Sequence, residues 1–198
     1  YVQKLKKDSA FYTRGFLTVS GTLADENVAV IVCHLPSRFS ESFYRELGAE
    51  QVKAIKDSLL NDDPNCKVFV MGDMNDDPID KSMAGILKGK ANIKDVNEGD
   101  MYNPWYNILV KEGVGTLLYQ GSWNLFDQIL VTPNLLNKDD KKDFSSLKLW
   151  KNQIFKRDYL FQTEGKYKGS PKRTTAGGVW LDGYSDHLPV VVYLVKEQ

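Results

Sequence analysis

The sequence lacks a surplus of either charge and has no long apolar run. Lysine plus arginine equals aspartate plus glutamate at 26 each, so the formal net charge is zero. Proteins that bind nucleic acid through bulk electrostatics carry a basic surplus. Its absence here argues against a non-specific nucleic-acid coat protein, although a local basic patch is still compatible with the sequence. No apolar run reaches the roughly 18 residues that a membrane-spanning helix needs.

Cysteine and histidine are also scarce, with two residues of each. Cys33 and Cys66 lie in or beside apolar runs and do not have metal-ligand spacing. This predicts two buried free thiols, with a disulfide between them as the alternative.

The order of hydrophobic patterns predicts a layered α/β domain. Hydrophobic residues make up 42% of the chain, which is ordinary for a protein with one sizeable core. We expect a single domain over residues 1–198. Period-two and continuous apolar runs predict strands at 14–23, 28–35, 66–73, 114–121, 124–133 and 190–195. Helical periodicity predicts a helix at 41–60, with Phe43, Leu47, Val52, Ile55 and Leu59 on its buried face. A second helix is predicted at 77–89, where Asp77 would be the N-cap and Pro78 the first helical residue, and a short helix is predicted at 103–113.

Polar residues stand at the ends of the predicted buried strands. His34 and Asp73 each end one such strand, and Asp186 and His187 directly precede the last. A histidine after a strand is more often a structural residue than a catalyst. Both histidines of the chain, however, fall at strand ends. We therefore favour the functional interpretation, in which a rigid sheet presents these side chains to a ligand.

Asp127 is the most informative of these polar residues, because it interrupts an apolar strand. A buried carboxylate costs several kcal/mol unless it is paired. A pair between Asp127 and His187 would satisfy the carboxylate and fix the tautomer of the imidazole.

Four motifs, taken together, resemble a known family. The segments "IVCHLPSR", "VFVMGDMND", "SWNLFDQILV" and "GYSDHLPVVV" are similar in order and spacing to the endonuclease/exonuclease/phosphatase superfamily, and most to its bacterial members. The resemblance runs over residues 15–195. It implies a four-layer α/β sandwich, in which two packed mixed β-sheets are flanked by helices. It also implies a metal-dependent phosphoesterase, which hydrolyses a phosphodiester or phosphomonoester by direct attack of water.

The resemblance implies a role for each strand-end residue. Asp186 would ligate Mg²⁺ or Mn²⁺, for which carboxylate oxygens are suitable ligands, and Asp73 would contribute to the metal site and orient or deprotonate the attacking water. His187, held by Asp127, would contact the phosphate and help to activate the attack. His34 would donate a proton toward the leaving oxygen.

Two further residues are candidates for contact with the substrate phosphate. Asn75 would hydrogen-bond the phosphoryl oxygens. Arg38 could contact a substrate phosphate, although a surface ion pair is about as plausible an interpretation of an arginine in this place.

The resemblance covers only the second half of the family pattern. The asparagine and the principal glutamate ligand of the first half have no counterpart, and the chain begins with Tyr1 and has no recognisable signal peptide. We therefore expect a truncated domain whose N-terminal portion is absent. Such a fragment would have weak activity or none by itself, and its cellular compartment is unknown. A dimer, or an N-terminal fragment, would then cover an exposed sheet.

The substrate remains open at this point. Nucleic acid, a phospholipid headgroup and a small phosphoester are all candidates, and a non-catalytic phosphoesterase-like binding module is the alternative function. A basic segment before the last strand is either a phosphate-binding patch or, as we favour, a solvated loop; it contains Lys166, Lys168, Lys172 and Arg173. Four aromatic residues are either core or pocket lining: Trp105, Tyr106, Tyr119 and Trp123.

Overall fold

The computed structural model describes the backbone of residues 2–3 and all of residues 13–138 and 142–197. Its strands are β1 Val2–Gln3, β2 Phe16–Leu23, β3 Glu26–His34, β4 Lys67–Asp73, β5 Gly89–Lys90, β6 Met101–Tyr102, β7 Leu117–Tyr119, β8 Ser122–Asn124, β9 Asp127–Val131, β10 Lys148–Ile154, β11 Thr175–Ala176, β12 Val179–Trp180 and β13 Val190–Val195. Its α-helices are α1 Ser42–Asp62 and α2 Tyr106–Glu112. Short turns of other helix types cover Lys81–Ile86, Ile93–Asp95, Pro133–Leu135 and Asp158–Leu160. The predicted α/β class is confirmed.

A seven-stranded mixed sheet in the order β1-β2-β3-β4-β9-β6-β5 forms the centre of the fold. Strands β3 and β4 run parallel, with His34 opposite Asp73. Strands β4 and β9 run antiparallel, with Asp73 opposite Asp127. The register of this sheet therefore lines up three of the predicted site residues, on adjacent strands, at one end of the sheet.

The two faces of the central sheet are covered differently. On one face, α1 packs Ala49, Val52 and Ile55 into a core with Ile31 and Val70. Against the other face lies a two-stranded antiparallel sheet of β10 and β13, with Val192 and Leu194 partly buried in the second core. The described residues thus form helices, a sheet and a second, smaller sheet. A helical layer outside the second sheet stays a prediction.

Several local predictions need correction. The predicted helix that Asp77 would cap begins only at Lys81, because Asp77 and Pro78 lie in a turn before it. Phe43 is 51% exposed and does not belong to the buried face of α1. Strand β10 was not predicted; its sequence does not alternate, and its register with β13 shifts between Leu149 and Lys151. The mixed-sign charges of residues 137–143 are typical of a solvated loop; residues 137–138 and 142–143 have no regular secondary structure, and 139–141 lie outside the described residues.

The cysteine prediction is confirmed, because Cys33 and Cys66 are both buried and free. Burial raises the pKa of the Cys33 thiol to about 12, so this thiol is unreactive near neutral pH.

Strand β2 leaves apolar side chains in solvent. Leu17, Val19 and Leu23 are each about half exposed. Coverage of this surface by a second copy or another fragment stays a prediction. Among the described residues, no helix combines the length and the apolar character that crossing a membrane requires.

Candidate active site

The end of β4 lies unusually close to β3. Gly72 has a φ of +136°, and a Cβ atom there would lie 1.9 Å from the carbonyl oxygen of Cys33. Only glycine allows this approach and this backbone conformation together. The approach brings the next pair of residues to the same place, where Nε2 of His34 lies 3.5 Å from Oδ2 of Asp73.

Burial controls the ionisation of this first pair. It lowers the pKa of His34, and the charge of Asp73 opposes that shift without overcoming it. Burial likewise raises the pKa of Asp73, against the hydrogen bond from the amide of Asn75 and the charge of His187. His34 is therefore mainly neutral near pH 7, and the proton-donor role expected for it stays a prediction. The raised pKa of Asp73 makes this carboxylate a better base.

His187 forms the second pair, with Asp127, as the sequence predicts. Nδ1 of His187 lies 2.7 Å from Oδ2 of Asp127, and each side chain is only about one-fifth exposed. A carboxylate only accepts hydrogen bonds, so Nδ1 carries the proton and Nε2 is left for a ligand. Burial lowers the pKa of His187, but the hydrogen bond to Asp127 and the charges of Asp127, Asp73 and Asp186 outweigh it. The net effect is a raised pKa.

Thr116 connects Asp127 to Leu188, the residue after His187, and was not among the predicted site residues. It is fully buried. Its hydroxyl accepts the amide hydrogen of Asp127 at 3.3 Å, and its carbonyl accepts that of Leu188 at 2.8 Å. Neither contact is local in sequence, so no sequence motif indicates the role of Thr116. The residue before Thr116 must be a glycine, because a Cβ atom at Gly115 would lie 2.2 Å from the carbonyl oxygen of Asn124.

Asn75 is held at the same end of the sheet by the turn that follows β4. Its φ is +49°, its amide donates to Oδ1 of Asp73 at 2.9 Å, and its Nδ2 donates to the carbonyl of Leu35 at 2.9 Å. One side-chain N–H is therefore engaged by the protein. The second N–H of Nδ2 is the group that could reach a phosphoryl oxygen.

Arg38 forms the ion pairs that were the alternative to phosphate contact. Its guanidinium donates to Oδ2 of Asp80 at 2.8 Å and to Oδ2 of Asp77 at 3.1 Å. It also donates to the carbonyl of Asn75 and lies 4.4 Å from the centre of the Phe126 ring. These contacts fix the turn that carries Asn75. Contact of Arg38 with a substrate phosphate stays a prediction.

A buried ion pair beneath the same turn was also missed. Nε of Arg45 donates to Oδ1 of Asp76 at 2.6 Å, and the Ser82 hydroxyl donates to Oδ2 at 2.6 Å. Both charged side chains are about 6% exposed. Gln128 of β9 donates to the carbonyl of Asp76 at 2.8 Å, which ties the turn to the strand that carries Asp127.

Asp186 directly precedes His187 in the chain and forms an ion pair with Arg173. Nη2 of Arg173 donates to its Oδ2 at 2.9 Å, and the Asp186 side chain is 48% exposed. Its carboxylate oxygens suit Mg²⁺ or Mn²⁺. Within the described ranges, however, no group of three or more His, Cys, Asp or Glu residues could hold a metal ion. Asp186 and Asp73 thus do not form a metal site by themselves.

The aromatic residues divide between core and surface. Trp105 is fully buried and donates its indole N–H to the carbonyl of Ile129 at 3.1 Å. Tyr119, in contrast, is 60% exposed and lines a cleft next to Asp186.

Comparison with known proteins identifies relatives of this fold. The family model described as "Endonuclease/Exonuclease/phosphatase family" matches residues 1–196. No curated protein matches the chain at a significant level. Among solved structures, truncated Caenorhabditis elegans TDP2 matches 100% of the chain with a TM-score of 0.57 and 14% identity. A functionally unknown conserved protein from Enterococcus faecalis matches 96% of it, with a TM-score of 0.53 and 14% identity.

A mannosyl-6-phosphatase from Bacteroides thetaiotaomicron matches 87% of the chain, with a TM-score of 0.50 and 17% identity. The chain covers 64% of the nematode protein, 59% of the enterococcal protein and 52% of the phosphatase. It therefore spans between about half and two thirds of the length of these structures. At such low identity the likeness shows the fold alone.

Proposed function

The chain belongs to the endonuclease/exonuclease/phosphatase family, and from this premise we propose that it is a phosphoesterase. The observation that carries the proposal is the pair of His187 and Asp127 next to Asp73. The contact of 2.7 Å with Asp127 and the burial of both side chains fix the imidazole of His187 and leave its Nε2 free. This imidazole lies at the same end of the sheet as a second carboxylate, that of Asp73. A structural histidine would not need this second carboxylate beside it.

In the proposed reaction, water attacks phosphorus and the bond to the leaving oxygen breaks, so that this oxygen departs with the electron pair and takes a proton from solvent. Asp73 orients the water and accepts its proton, a role that its raised pKa supports. Nε2 of His187 contacts a phosphoryl oxygen. Because the pKa of His187 is raised, a larger share of this imidazole carries a positive charge that stabilises the charge developing on phosphate.

His34 and Asn75 contribute polar contacts in this proposal. We assign His34 to the leaving oxygen, to which its mainly neutral imidazole donates a hydrogen bond. The second N–H of the Asn75 amide binds a phosphoryl oxygen. Arg38 and the buried pair of Arg45 and Asp76 act indirectly, by holding the turn on which Asn75 lies.

Dependence on Mg²⁺ or Mn²⁺ is part of the proposal, with Asp186 as the carboxylate best suited to contribute to the site. The described residues alone do not fit such an ion, so no step of the reaction is assigned to it. When bound, a divalent cation would neutralise charge on the phosphate.

The substrate is a phosphodiester or phosphomonoester, in a nucleic acid, a lipid headgroup or a small molecule. The mannosyl-6-phosphatase name of one structural neighbour supports a small phosphomonoester.

The direct test is hydrolysis of p-nitrophenyl phosphate and bis-p-nitrophenyl phosphate, with Mg²⁺, Mn²⁺ or EDTA. It should use this chain and the longest natural polypeptide that contains it. We expect hydrolysis that His187→Ala lowers by about 100-fold or more. Lys111→Ala, on the exposed side of α2, is the matched control and should leave the rate unchanged. Hydrolysis that survives His187→Ala would remove the proposed site, and no hydrolysis by either polypeptide would favour the binding module.

A further inference from the structure

A cleft of about 520 Å³ adjoins the proposed site at Asp186. One wall is the β7–β8 hairpin with its turn, including Tyr119. The opposite wall is the segment 166–173, which contributes Lys166, Lys168 and Arg173. We call this cleft the basic cleft. The mechanism proposed above uses none of its residues other than Asp186.

The basic cleft concentrates positive charge in a chain whose formal net charge is zero. Three cationic side chains, of Lys166, Lys168 and Arg173, line it against the single carboxylate of Asp186. Arg173 neutralises that carboxylate through the ion pair at 2.9 Å. The ion pairs of the described residues include none from either lysine. The two lysine charges are thus available to an anion.

Two of the three cations contact the same aromatic ring. Nζ of Lys166 lies 5.6 Å from the centre of the Tyr167 ring, and Cζ of Arg173 lies 5.8 Å from the same centre. Contact of a cation with an aromatic ring is favourable, so Tyr167 helps to hold these two cations at the cleft.

The segment that carries the cations is held by the backbone. The amide of Gly169 donates to the carbonyl of Gln162 at 2.8 Å, and that of Lys172 donates to the carbonyl of Leu160 at 2.7 Å. On the other side, the amide of Tyr184 donates to the carbonyl of Lys172 at 2.8 Å. Gly183 allows this contact, because a Cβ atom there would lie 2.1 Å from that carbonyl oxygen. The cleft is therefore built into the fold next to Asp186 and His187.

We propose that the basic cleft binds a second phosphate group of the substrate, while the phosphate to be hydrolysed lies at His187. This inference rests on the proposed function and narrows its substrate to a molecule with two phosphate groups. The exposed side chain of Tyr119 favours a ring, of a sugar or a nucleoside, between or beside these groups. A sugar bisphosphate and a nucleoside bisphosphate share this chemistry.

Calorimetric titration in EDTA tests the proposal without requiring turnover. The ligands are fructose bisphosphate and thymidine bisphosphate, each compared with its own monophosphate. We expect at least one bisphosphate to bind about tenfold more tightly than its monophosphate, because two exposed lysine contacts add modest but additive affinity. The bisphosphate that shows the larger preference identifies the source of the second phosphate, and either one supports the proposal.

Variants of the lysines decide whether the basic cleft causes this preference. The double variant Lys166→Ala/Lys168→Ala should abolish it, and Lys166→Arg/Lys168→Arg should retain it. The control Lys94→Ala/Lys111→Ala removes two exposed lysines elsewhere and should change nothing. A preference that is absent in the wild type, or that persists in the alanine double variant, overturns the proposal.

The same titration separates this inference from the proposed function. Loss of monophosphate binding in His187→Ala, with the lysine effect intact, supports both. If His187→Ala leaves monophosphate binding unchanged while the alanine double variant abolishes the preference, the basic cleft stands and the phosphate site at His187 fails.

Discussion

His187 and Asp127 are 60 residues apart in the chain, and Nδ1 of the one lies 2.7 Å from Oδ2 of the other. Asp127 begins β9 of the central sheet, and His187 lies in the bend that precedes β13 of the second sheet. The contact therefore joins the two sheets as well as the two side chains. It fixes which nitrogen of the imidazole faces outward, and this is the property that a phosphate ligand would use.

The first prediction concerns the tautomer of His187. Because Asp127 accepts from Nδ1, the neutral imidazole should be the Nδ1–H tautomer, and the long-range ¹H–¹⁵N spectrum should show it. Asp127→Ala removes the acceptor, and the Nε2–H tautomer should then gain population. His34, whose contact with Asp73 is longer, serves as the internal reference. An Nε2–H tautomer in the wild type would contradict the arrangement.

The second prediction concerns Thr116 as a positioning residue. Thr116→Val keeps the shape of the buried side chain but removes the hydroxyl that accepts from the amide of Asp127. We expect a loss of about 1–2 kcal/mol in the free energy of unfolding, measured in urea. Turnover should fall by roughly tenfold or more, with little change in KM, because the carboxylate that orients the His187 imidazole shifts. Thr175→Val, at an exposed position, should change neither quantity. Unchanged turnover would show that Thr116 serves stability alone.

The third prediction concerns the buried ion pair under the turn after β4. Arg45→Met leaves Asp76 with the Ser82 hydroxyl and a longer contact of 3.9 Å to Arg38. An uncompensated buried carboxylate should cost about 3–5 kcal/mol in the free energy of unfolding. Adding Asp76→Asn should recover part of this loss, because the unpaired charge is gone. A single variant as stable as the wild type would refute the assignment.

The fourth prediction is a pH dependence of stability that arises from Glu26. Burial opposes its ionisation, but hydrogen bonds from Lys67, the amide of Leu147 and Lys196 outweigh burial and lower the pKa to about 2 from 4.5. A lowered pKa stabilises the fold above the ordinary value, and the stabilisation is lost as the pH falls toward 2. Glu26→Gln should therefore be less stable than the wild type near pH 7, by about 1–3 kcal/mol.

The difference in the free energy of unfolding between the wild type and Glu26→Gln should shrink as the pH is lowered. Urea unfolding of both at a series of pH values measures it, and other carboxylates cancel because both proteins contain them. A difference that is constant with pH would mean that Glu26 acts through its shape and not through its charge.

The sequence predicted the components of the candidate site better than their connections. Strand ends are marked by local patterns, so His34, Asp73 and Asp127 could be found from apolar runs that stop at a polar residue. The pair of Asp127 and His187 could be inferred because a carboxylate in an apolar strand needs a partner. Thr116 and Arg45 could not be found, because their contacts depend on tertiary packing and the types of these residues are ordinary.

The basic segment shows the same limit in another form. Glycine, lysine and small polar residues are typical of a solvated loop, and composition alone favours that interpretation over a phosphate-binding patch. Backbone hydrogen bonds to Leu160, Gln162 and Tyr184 hold the segment 166–173 next to Asp186. The composition of the segment does not indicate these bonds. These bonds join segments that are separate in sequence.

The most direct test of the account is a double-mutant cycle between His187 and Asp127, read as the rate of hydrolysis of p-nitrophenyl phosphate or bis-p-nitrophenyl phosphate. If the two side chains act as one unit, Asp127→Asn and His187→Ala should each lower the rate by about 100-fold or more. The double variant should then be no slower than His187→Ala alone. Rate losses that multiply in the double variant would show that the two residues act independently, and would contradict the central claim that Asp127 works through His187.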